Sequence, residues 1–309
     1  MGRYVLRRLL QLVPVFLGTT FLIYWLVWKL PGDPFVGKCG ERQCPDAYIA
    51  LMRERYHLDE PLVVQYLRYL GDLVTGDFGQ TFRGLDVGDL IGAAYPNTIR
   101  LAVVALLIEA VIGLAAGILT GLRGRGFLDN LVLVSTLFLI SLPVFVTGFA
   151  LQILFGFELG WIKPVVSKSP APWADLIVPG FVLGSLSMAY VTRLTRASIA
   201  ENRRADYVRT AIAKGQPGSR VVGVHLLRNS AIPVLTYLGT DIGALMGGAI
   251  VTEGVFDIKG IGNLVYDGIL GKDGVVVTGV VTLLVLVYLL SNLLVDLLYA
   301  VIDPRIRYD

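Results

Sequence analysis

Histidine is scarce in this sequence, and its scarcity excludes several kinds of enzyme. The 309 residues include two histidines, His57 and His225, and both lie outside the apolar runs. A zinc protease of the HExxH class needs two histidines on one helix, and an intramembrane serine protease needs a Ser–His pair at membrane depth. The sequence also lacks the GxxxxGK[ST] phosphate loop. We therefore expect no catalytic residue, no metal site and no cofactor bound by this chain itself.

Charge is also sparse. Only 17% of the residues are charged, against about 25% in an ordinary soluble domain, and the mean hydropathy is +0.68. The basic residues are spread over several loops, which argues against nucleic-acid binding. Between these loops lie six apolar runs, each long enough to cross a bilayer as a helix. They cover about 9–30, 98–122, 131–157, 174–193, 232–256 and 275–302. We predict an all-α polytopic membrane protein with six transmembrane helices in contact with membrane lipid.

The basic residues also predict the orientation of the spans. If the N-terminus is cytoplasmic, the inner segments hold fifteen Lys and Arg residues and the short outer loops hold four. This excess is the positive-inside pattern, so both termini are predicted to be cytoplasmic. The first run is longer than the apolar part of a signal peptide, and no small-residue cleavage site follows it, so we expect it to be retained. The predicted units are 1–30, 31–97, 98–302 and a tail at 303–309.

The segment 31–97 is too polar to span the membrane and is predicted to be an extracytoplasmic loop subdomain. Residues 47–57 and 62–74 have the composition or spacing of short helices, and the GDFG sequence at 76–79 indicates a turn. The chain's two cysteines, Cys39 and Cys44, both lie in this segment. A local disulfide is the simplest interpretation outside the membrane, free thiols are the alternative, and a metal site is disfavoured.

A second polar segment follows the fourth run, in a loop of about 194–231 that is too rich in arginine to enter the bilayer. A helix is predicted over 192–215, a turn at Gly215–Gly218, and a second helix over 219–229. Side chains predicted to be available for burial are Ala211, Ile212, Val221, Val222 and Val224. From these residues alone, the loop is either an amphipathic anchor among lipid headgroups or a docking site for a cytosolic partner.

Resemblance to a known family favours docking. Tyr207-Val-Arg-Thr-Ala-Ile-Ala-Lys-Gly215 and His225-Leu-Leu-Arg-Asn-Ser-Ala-Ile-Pro233 resemble the cytoplasmic signature loop of bacterial ABC-importer permeases, in the dipeptide/oligopeptide/nickel branch. The start of the chain, 58–82, Glu253-Gly-Val-Phe-Asp-Ile-Lys-Gly-Ile-Gly262 and the terminal Asp303-Pro-Arg305 resemble the same branch, and its B-type subunit in particular. One departure is Arg209-Thr210-Ala211, where more distant importers have Glu-Ala-Ala.

The resemblance implies a type I ABC importer transmembrane fold and a role in peptide uptake across the bacterial cytoplasmic membrane. Nickel chelates or haem are the alternative cargo. It implies a heterodimer with a second homologous permease subunit, two cytosolic ATPases that bind ATP and Mg, and an extracytoplasmic substrate-binding protein. It further implies that 211–222 forms a coupling helix. The implied ATPase-coupling residues are Arg209, Thr210, Ala211, Lys214, Gly215, Ser219, Arg220 and Val222.

The acidic residues in or near the apolar runs include Glu109, Asp241 and Asp296. Intramembrane acids are candidates for function, although each can instead pair with a neighbouring helix. Asp241 and Glu109 are the candidates for the translocation pathway, whereas Asp296 is expected to pair near the end of its span. A secondary transporter would show inverted repeats and more spans. A purely structural membrane scaffold would leave the signature loop unexplained.

Overall fold

The computed structural model describes residues 2–29, 45–124, 126–166 and 168–302. Within these ranges the secondary structure is helical, apart from one isolated bridge between Gln80 and Asp86. Cys39 and Cys44 lie outside the described residues. The α-helices are Gly2–Lys29 (α1), Asp46–Arg55 (α2), Leu62–Val74 (α3), Val87–Arg123 (α4), Phe127–Ser141 (α5), Val144–Leu151 (α6), Ile177–Asn202 (α7), Asp206–Ala213 (α8), Gly218–Arg220 (α9), Arg228–Gly248 (α10), Ile250–Phe256 (α11), Ile261–Leu270 (α12) and Gly274–Ile302 (α13).

Five continuous helical stretches of the described chain are long and apolar enough to cross a membrane, and one bent pair brings the number to six. The prediction of six spans in an all-α protein is therefore confirmed. The continuous stretches are Leu6–Lys29, Val87–Arg123, Trp173–Asn202, Gly218–Gly247 and Gly274–Leu297. The fourth of these joins α9, a π-helical turn at Val221–Leu227 and α10 into one rod.

The third span differs from the single helix predicted over 131–157. It consists of Phe127–Ser141 and Val144–Glu158, which meet at an angle of 105°. Leu142 lies between them with an extended backbone (φ −93°, ψ 129°) and precedes Pro143. A residue before proline is disfavoured in the helical region because its backbone and Cβ clash with the proline ring. A search of the sequence for long apolar runs does not distinguish a straight span from this bent one.

Close packing of α4 on α7 forms the centre of the bundle. Gly113, Gly117 and Gly121 lie one turn apart on the face of α4 that contacts α7. A Cβ atom at Gly117 would lie 2.5 Å from the Cβ atom of Thr195, so no larger residue fits at this crossing. The small-xxx-small spacing at 113–117 thus serves helix packing, as the sequence predicts. Buried Val191 fills the next position along the same interface.

The α13 helix packs on both α10 and α1. Gly239 and Gly243 of α10 face α13, and a Cβ atom at Gly243 would lie 3.0 Å from the Ser291 Cβ atom. The peripheral helix α1 is joined to α13 by an ion pair between Arg8 and Asp296, with 3.2 Å between the Nη1 and Oδ2 atoms. Pairing of Asp296 with a neighbouring helix is therefore confirmed.

The loop subdomain contains the two short helices that the sequence predicts, α2 and α3. Gly76 and Gly79 take positive φ values of 84° and 83°, which confirms the predicted turn. The subdomain ends earlier than residue 97, because α4 begins at Val87. Asp86 caps this helix by accepting a hydrogen bond from the Asp89 amide. The first turns of α4 contain polar residues, so the apolar run in the sequence begins later than the helix does.

Candidate functional site

The loop predicted over about 194–231 begins later in the structure, because α7 continues to Asn202. We call residues 203–229 the polar loop. It is a helix–turn–helix whose turn is fixed by backbone hydrogen bonds. Helix α8 ends at Ala213, and Gly215 follows in the left-handed conformation with φ +70°. The Gly215 amide donates to the Ile212 carbonyl at 2.9 Å, and the Gln216 amide donates to the Ala211 carbonyl at 3.2 Å. This pair of bonds is the Schellman motif, in which glycine avoids the Cβ clash of left-handed backbone. The predicted turn is confirmed.

One face of the polar loop is buried against the rest of the chain. Val208, Ala211 and Val221 are nearly inaccessible and pack on Ile199 of α7, together with Leu226. The His225 ring nitrogen lies 2.8 Å from the Gln216 side-chain oxygen and ties the turn to the following helix. The loop is therefore folded against the ends of α4 and α7.

The opposite face of the polar loop is exposed and basic. The exposed apolar side chains of the loop are Ile212, Val224 and Tyr207, which are 61%, 49% and 39% exposed. The acidic Asp206 lies near Arg209, with 3.8 Å between the charged groups. The predicted coupling residues on this exposed face are Arg209, Thr210, Lys214, Gly215, Ser219 and Arg220. The remaining two, Ala211 and Val222, are buried and half-buried, and Ala211 contacts its own chain.

The structure corrects three details predicted for this loop. The helix predicted over 192–215 is interrupted at residues 203–205, between α7 and α8. The coupling helix predicted over 211–222 is divided by the turn at Gly215, so the separate helical element is Asp206–Ala213. Ile212 and Val224 are exposed rather than available for burial, because their positions fall on the outer faces of their helices.

Two of the predicted intramembrane acids lie together inside the bundle. Glu109 of α4 is fully buried and Asp241 of α10 is 9% exposed. Their carboxyl groups interact with each other, but no described residue forms a hydrogen bond of ordinary geometry with either Glu109 oxygen or with Asp241 Oδ2. Tyr237 lies one turn before Asp241 on α10 and packs against Tyr190, with 4.5 Å between the ring centroids. Buried acids without a counter-charge are costly unless neutralised, and a cationic group would satisfy the pair.

Sequence reasoning assigned no role to Glu253, which is the centre of a buried polar cluster at the other end of α4 from the polar loop. Its Oε1 atom accepts a hydrogen bond from the Thr98 hydroxyl at 2.6 Å, and its Oε2 atom accepts one from the Asn263 amide at 2.9 Å. The Thr98 hydroxyl in turn accepts from the Ile261 amide at 2.8 Å. We call Thr98, Glu253, Ile261 and Asn263 the glutamate clamp.

The glycines near Glu253 explain the spacing of its motif. A Cβ atom at Gly260 would lie 2.4 Å from the Glu253 carboxyl group, and one at Gly262 would lie 2.4 Å from the Ile250 Cα atom. Asp257 turns the chain with a left-handed backbone (φ 50°). The chain therefore reverses tightly over a buried carboxylate. The spacing of the acid and the two glycines is the signal in the sequence that locates this cluster.

Comparison with known proteins identifies the family. A family model described as the binding-protein-dependent transport system inner membrane component matches residues 113–308, and the N-terminal model of the same description matches residues 1–108. The chain belongs to this family. The six-span fold agrees with the transmembrane fold of type I ABC importers, and the resemblance seen in the sequence is confirmed.

Individual members of this permease family match over the full chain. A dipeptide transport system permease protein of Alkalihalophilus pseudofirmus is 36% identical, and the match covers 99% of each protein. A di/tripeptide transport system permease protein of Pseudomonas aeruginosa is also 36% identical, with the same coverage. A glutathione transport system permease protein of Escherichia coli is 37% identical over all of both chains. The protein is thus a multi-pass membrane component of a transport system.

Proposed function

We propose that this chain is the permease subunit of an ATP-driven ABC importer and forms half of a translocation pathway for di- or oligopeptides. The proposal rests on one observation about the polar loop. Its apolar face is buried against the rest of the chain, and its opposite face is exposed and basic. An anchor among headgroups would bury its apolar side chains in lipid. Here the apolar side chains Val208, Val221 and Leu226 are already buried within the chain.

The exposed face has the properties of a docking surface for an ATPase. Lys214 and Arg220 flank the turn, and Ile212 supplies an exposed apolar contact beside them. A rim of positive charge guides association with an acidic partner surface, while a central apolar side chain contributes binding energy. In this proposal ATP and Mg bind to two cytosolic ATPases. The second permease subunit and an extracytoplasmic binding protein complete the complex.

The proposed orientation follows from the basic residues. Fifteen Lys and Arg residues lie in the segments at one end of the spans, against four in the short loops at the other end. The polar loop and both termini then face the cytoplasm, and the glutamate clamp faces outward. Closure of the ATPase pair on ATP would move the polar loops of the two permease subunits together and open the pathway outward, as alternating access requires.

Peptide is the proposed cargo because the relatives are named for dipeptide, di/tripeptide and glutathione transport. The buried pair Glu109 and Asp241 would attract the terminal ammonium group of a peptide as it passes. Asp241→Asn is expected to raise the substrate concentration for half-maximal uptake of dialanine about tenfold, since an ammonium–carboxylate contact contributes on the order of 1–3 kcal/mol. Uptake with unchanged concentration dependence would contradict this role.

The docking role can be tested at Gly215. Replacement of Gly215 by Leu forces a side chain into left-handed backbone, at a cost of about 1–2 kcal/mol, and displaces the docking face. We expect the variant to insert into the membrane normally. In reconstituted vesicles, the amount of peptide taken up per ATP hydrolysed should fall at least about tenfold. Gly84→Leu is the matched control, because Gly84 has φ +79° and open space around it but lies in the loop subdomain.

Crosslinking provides an independent measurement. Ser219→Cys, on the exposed face, is expected to crosslink to an ATPase subunit in the assembled complex. Thr75→Cys, which is exposed in the loop subdomain, is the control that should not. Full uptake by Gly215→Leu, or equal crosslinking at both positions, would overturn the docking assignment.

A further inference from the structure

The loop subdomain encloses a cavity that no proposed step of transport uses. It has a volume of about 290 Å³ and lies between α1, α3 and the start of α13. Its lining includes the aromatic side chains Tyr24, Trp28, Tyr56 and Tyr69 and the carboxylates Asp72 and Asp77. We call this cavity the aromatic pocket. The carboxylate residues are exposed and Tyr24 is buried, so the aromatic side is the floor and the acidic side is the mouth.

The aromatic rings form one connected wall. The ring centroid of Tyr24 lies 6.0 Å from that of Trp28 and 5.4 Å from that of Tyr69. The centroid of Trp28 lies 6.4 Å from that of Tyr56. The Trp28 indole nitrogen is buried and has no hydrogen-bond acceptor in the described part of the chain. Trp28 therefore contributes its ring, and not its N–H group, to the wall of the pocket.

The tyrosine hydroxyls form hydrogen bonds within the protein. This distinguishes the wall from the belt of aromatic side chains that membrane proteins carry at the membrane–water interface. In a belt the polar tips face water and headgroups. Here each hydroxyl donates to the chain: Tyr24 to the Gln65 Oε1 atom (3.5 Å), Tyr56 to the Gln80 carbonyl (3.1 Å) and Tyr69 to the Thr278 carbonyl (3.3 Å). Burial raises the pKa of Tyr69 to about 12.

The charge at the mouth of the pocket is negative. The two basic groups in the lining both lie beside the Glu60 Oε1 atom: Arg68 Nη2 at 2.8 Å and His57 Nδ1 at 3.6 Å. Asp72 and Asp77 form no ion pair with any residue that the structure describes. Two carboxylates and several aromatic rings in one lining favour a cation, because both negative charge and the ring quadrupole attract it. Such a site disfavours an anion for the same reason.

We propose that the aromatic pocket binds an organic ammonium group. The ammonium enters past Asp72 and Asp77 and rests against the aromatic wall. This chemistry belongs to the headgroup of an aminophospholipid and equally to a small free amine or peptide N-terminus. The proposal does not depend on peptide transport through the bundle.

The surroundings of the pocket place it beside lipid. Helix α3 exposes a stripe of apolar side chains at helical spacing, in which Val63, Leu67 and Val74 are 56%, 60% and 88% exposed. Leu22 and Trp25 of α1 are also about half exposed. A helix with such a stripe lies in the membrane interface. A lipid headgroup and a dissolved amine can therefore both reach the mouth of the pocket.

Tryptophan fluorescence of the full chain in lipid nanodiscs tests the proposal. In the first arm the nanodiscs contain only phosphatidylglycerol, and ethanolamine is added as the probe. In the second arm no amine is added, and phosphatidylethanolamine replaces part of the lipid. We expect a saturable change in emission in at least one arm. The first arm reports a free amine and the second reports a lipid headgroup.

Matched variants identify the site. Asp72→Asn with Asp77→Asn is expected to weaken the response about tenfold, since a cation–π site retains only part of its attraction without the carboxylates. Asp59→Asn with Asp89→Asn removes the same charge from exposed positions outside the pocket and should leave the response unchanged. Trp28→Phe keeps the wall and should abolish the emission change, while native mass spectrometry still detects weakened binding.

Thermal melting of each variant reports whether its fold is retained. An equal response from the wild type and the Asp72/Asp77 variant would overturn the proposal. A response that persists in Trp28→Phe would also overturn it, because the signal would then come from another tryptophan. The absence of any saturable change in both arms would have the same consequence.

Discussion

The two ends of α4 are stabilised in different ways. At one end the glutamate clamp joins the helix to the chain reversal after α10 through fully buried hydrogen bonds to Glu253. At the other end the polar loop is held mainly by a small apolar cluster around Ile199, with its charged residues exposed. Buried hydrogen bonds have strict geometry, whereas apolar packing tolerates small displacements. The clamp end is therefore the fixed end of the bundle, and the loop end is the one that a partner can move.

Loss of the glutamate clamp is expected to have the largest effect on stability. Glu253→Ala leaves the Thr98 hydroxyl and the Asn263 amide buried without their acceptor, at a cost of about 2–4 kcal/mol in the free energy of unfolding. Thermal unfolding in detergent measures this change. Glu158→Ala is the control, because Glu158 is exposed. Equal melting temperatures for the two variants would show that the clamp is not the fixed end.

Gly117→Ala tests the packing that joins the two ends. Its Cβ atom would lie 2.5 Å from the Thr195 Cβ atom, so the variant is expected to lose about 1–3 kcal/mol of stability through overpacking. Gly92→Ala, in the same helix but with open space around it, should instead be neutral or gain up to about 1 kcal/mol from helix propensity. The difference in melting temperature between the two variants is the measurement.

Val208→Ala weakens the base of the polar loop. Removal of a buried side chain of this size costs about 1–2 kcal/mol, and we expect faster hydrogen–deuterium exchange confined to residues 203–229. Val224→Ala, at a position that is 49% exposed, should leave the exchange unchanged. Faster exchange throughout the bundle would contradict the view that the loop is a separate, softer unit.

Charge reversal on the exposed face is expected to have the smallest effect on stability and a large one on transport. Lys214→Glu with Arg220→Glu should change the free energy of unfolding by no more than about 0.5 kcal/mol, because both residues are exposed. Uptake coupled to ATP hydrolysis should fall at least about tenfold. Lys272→Glu, exposed at the clamp end, is the control. Normal ATPase binding by the double variant would remove the electrostatic part of the docking proposal.

The sequence predicts this fold well where apolar length and turn chemistry determine it. The spans follow from runs of apolar residues, and the turn at Gly215 follows from the conformational freedom of glycine. The bend at Leu142 is less visible, since a proline is compatible with both straight and broken membrane helices. The same applies to residues 203–205, where no glycine or proline marks the end of α7.

The candidate sites are predictable only in part. Residue type alone makes Glu109 and Asp241 candidates, but their contact depends on how α4 and α10 pack. The role of Glu253 also depends on distant partners, because Thr98 is far away in sequence. The aromatic pocket is harder still to predict. Its rings come from α1, the end of α2 and α3, and no local pattern connects them.

The rod from Gly218 to Gly247 has a mechanical consequence. Its 30 residues correspond to about 45 Å of helix, running from the polar turn towards the chain reversal over Glu253. If the end of this helix near Glu253 stays fixed, a sideways displacement of the polar turn by a few ångströms would tilt the whole helix. The π-helical turn at Val221–Leu227 and Pro233 both lie near the polar end of this helix, and these two features are the usual places where long helices bend.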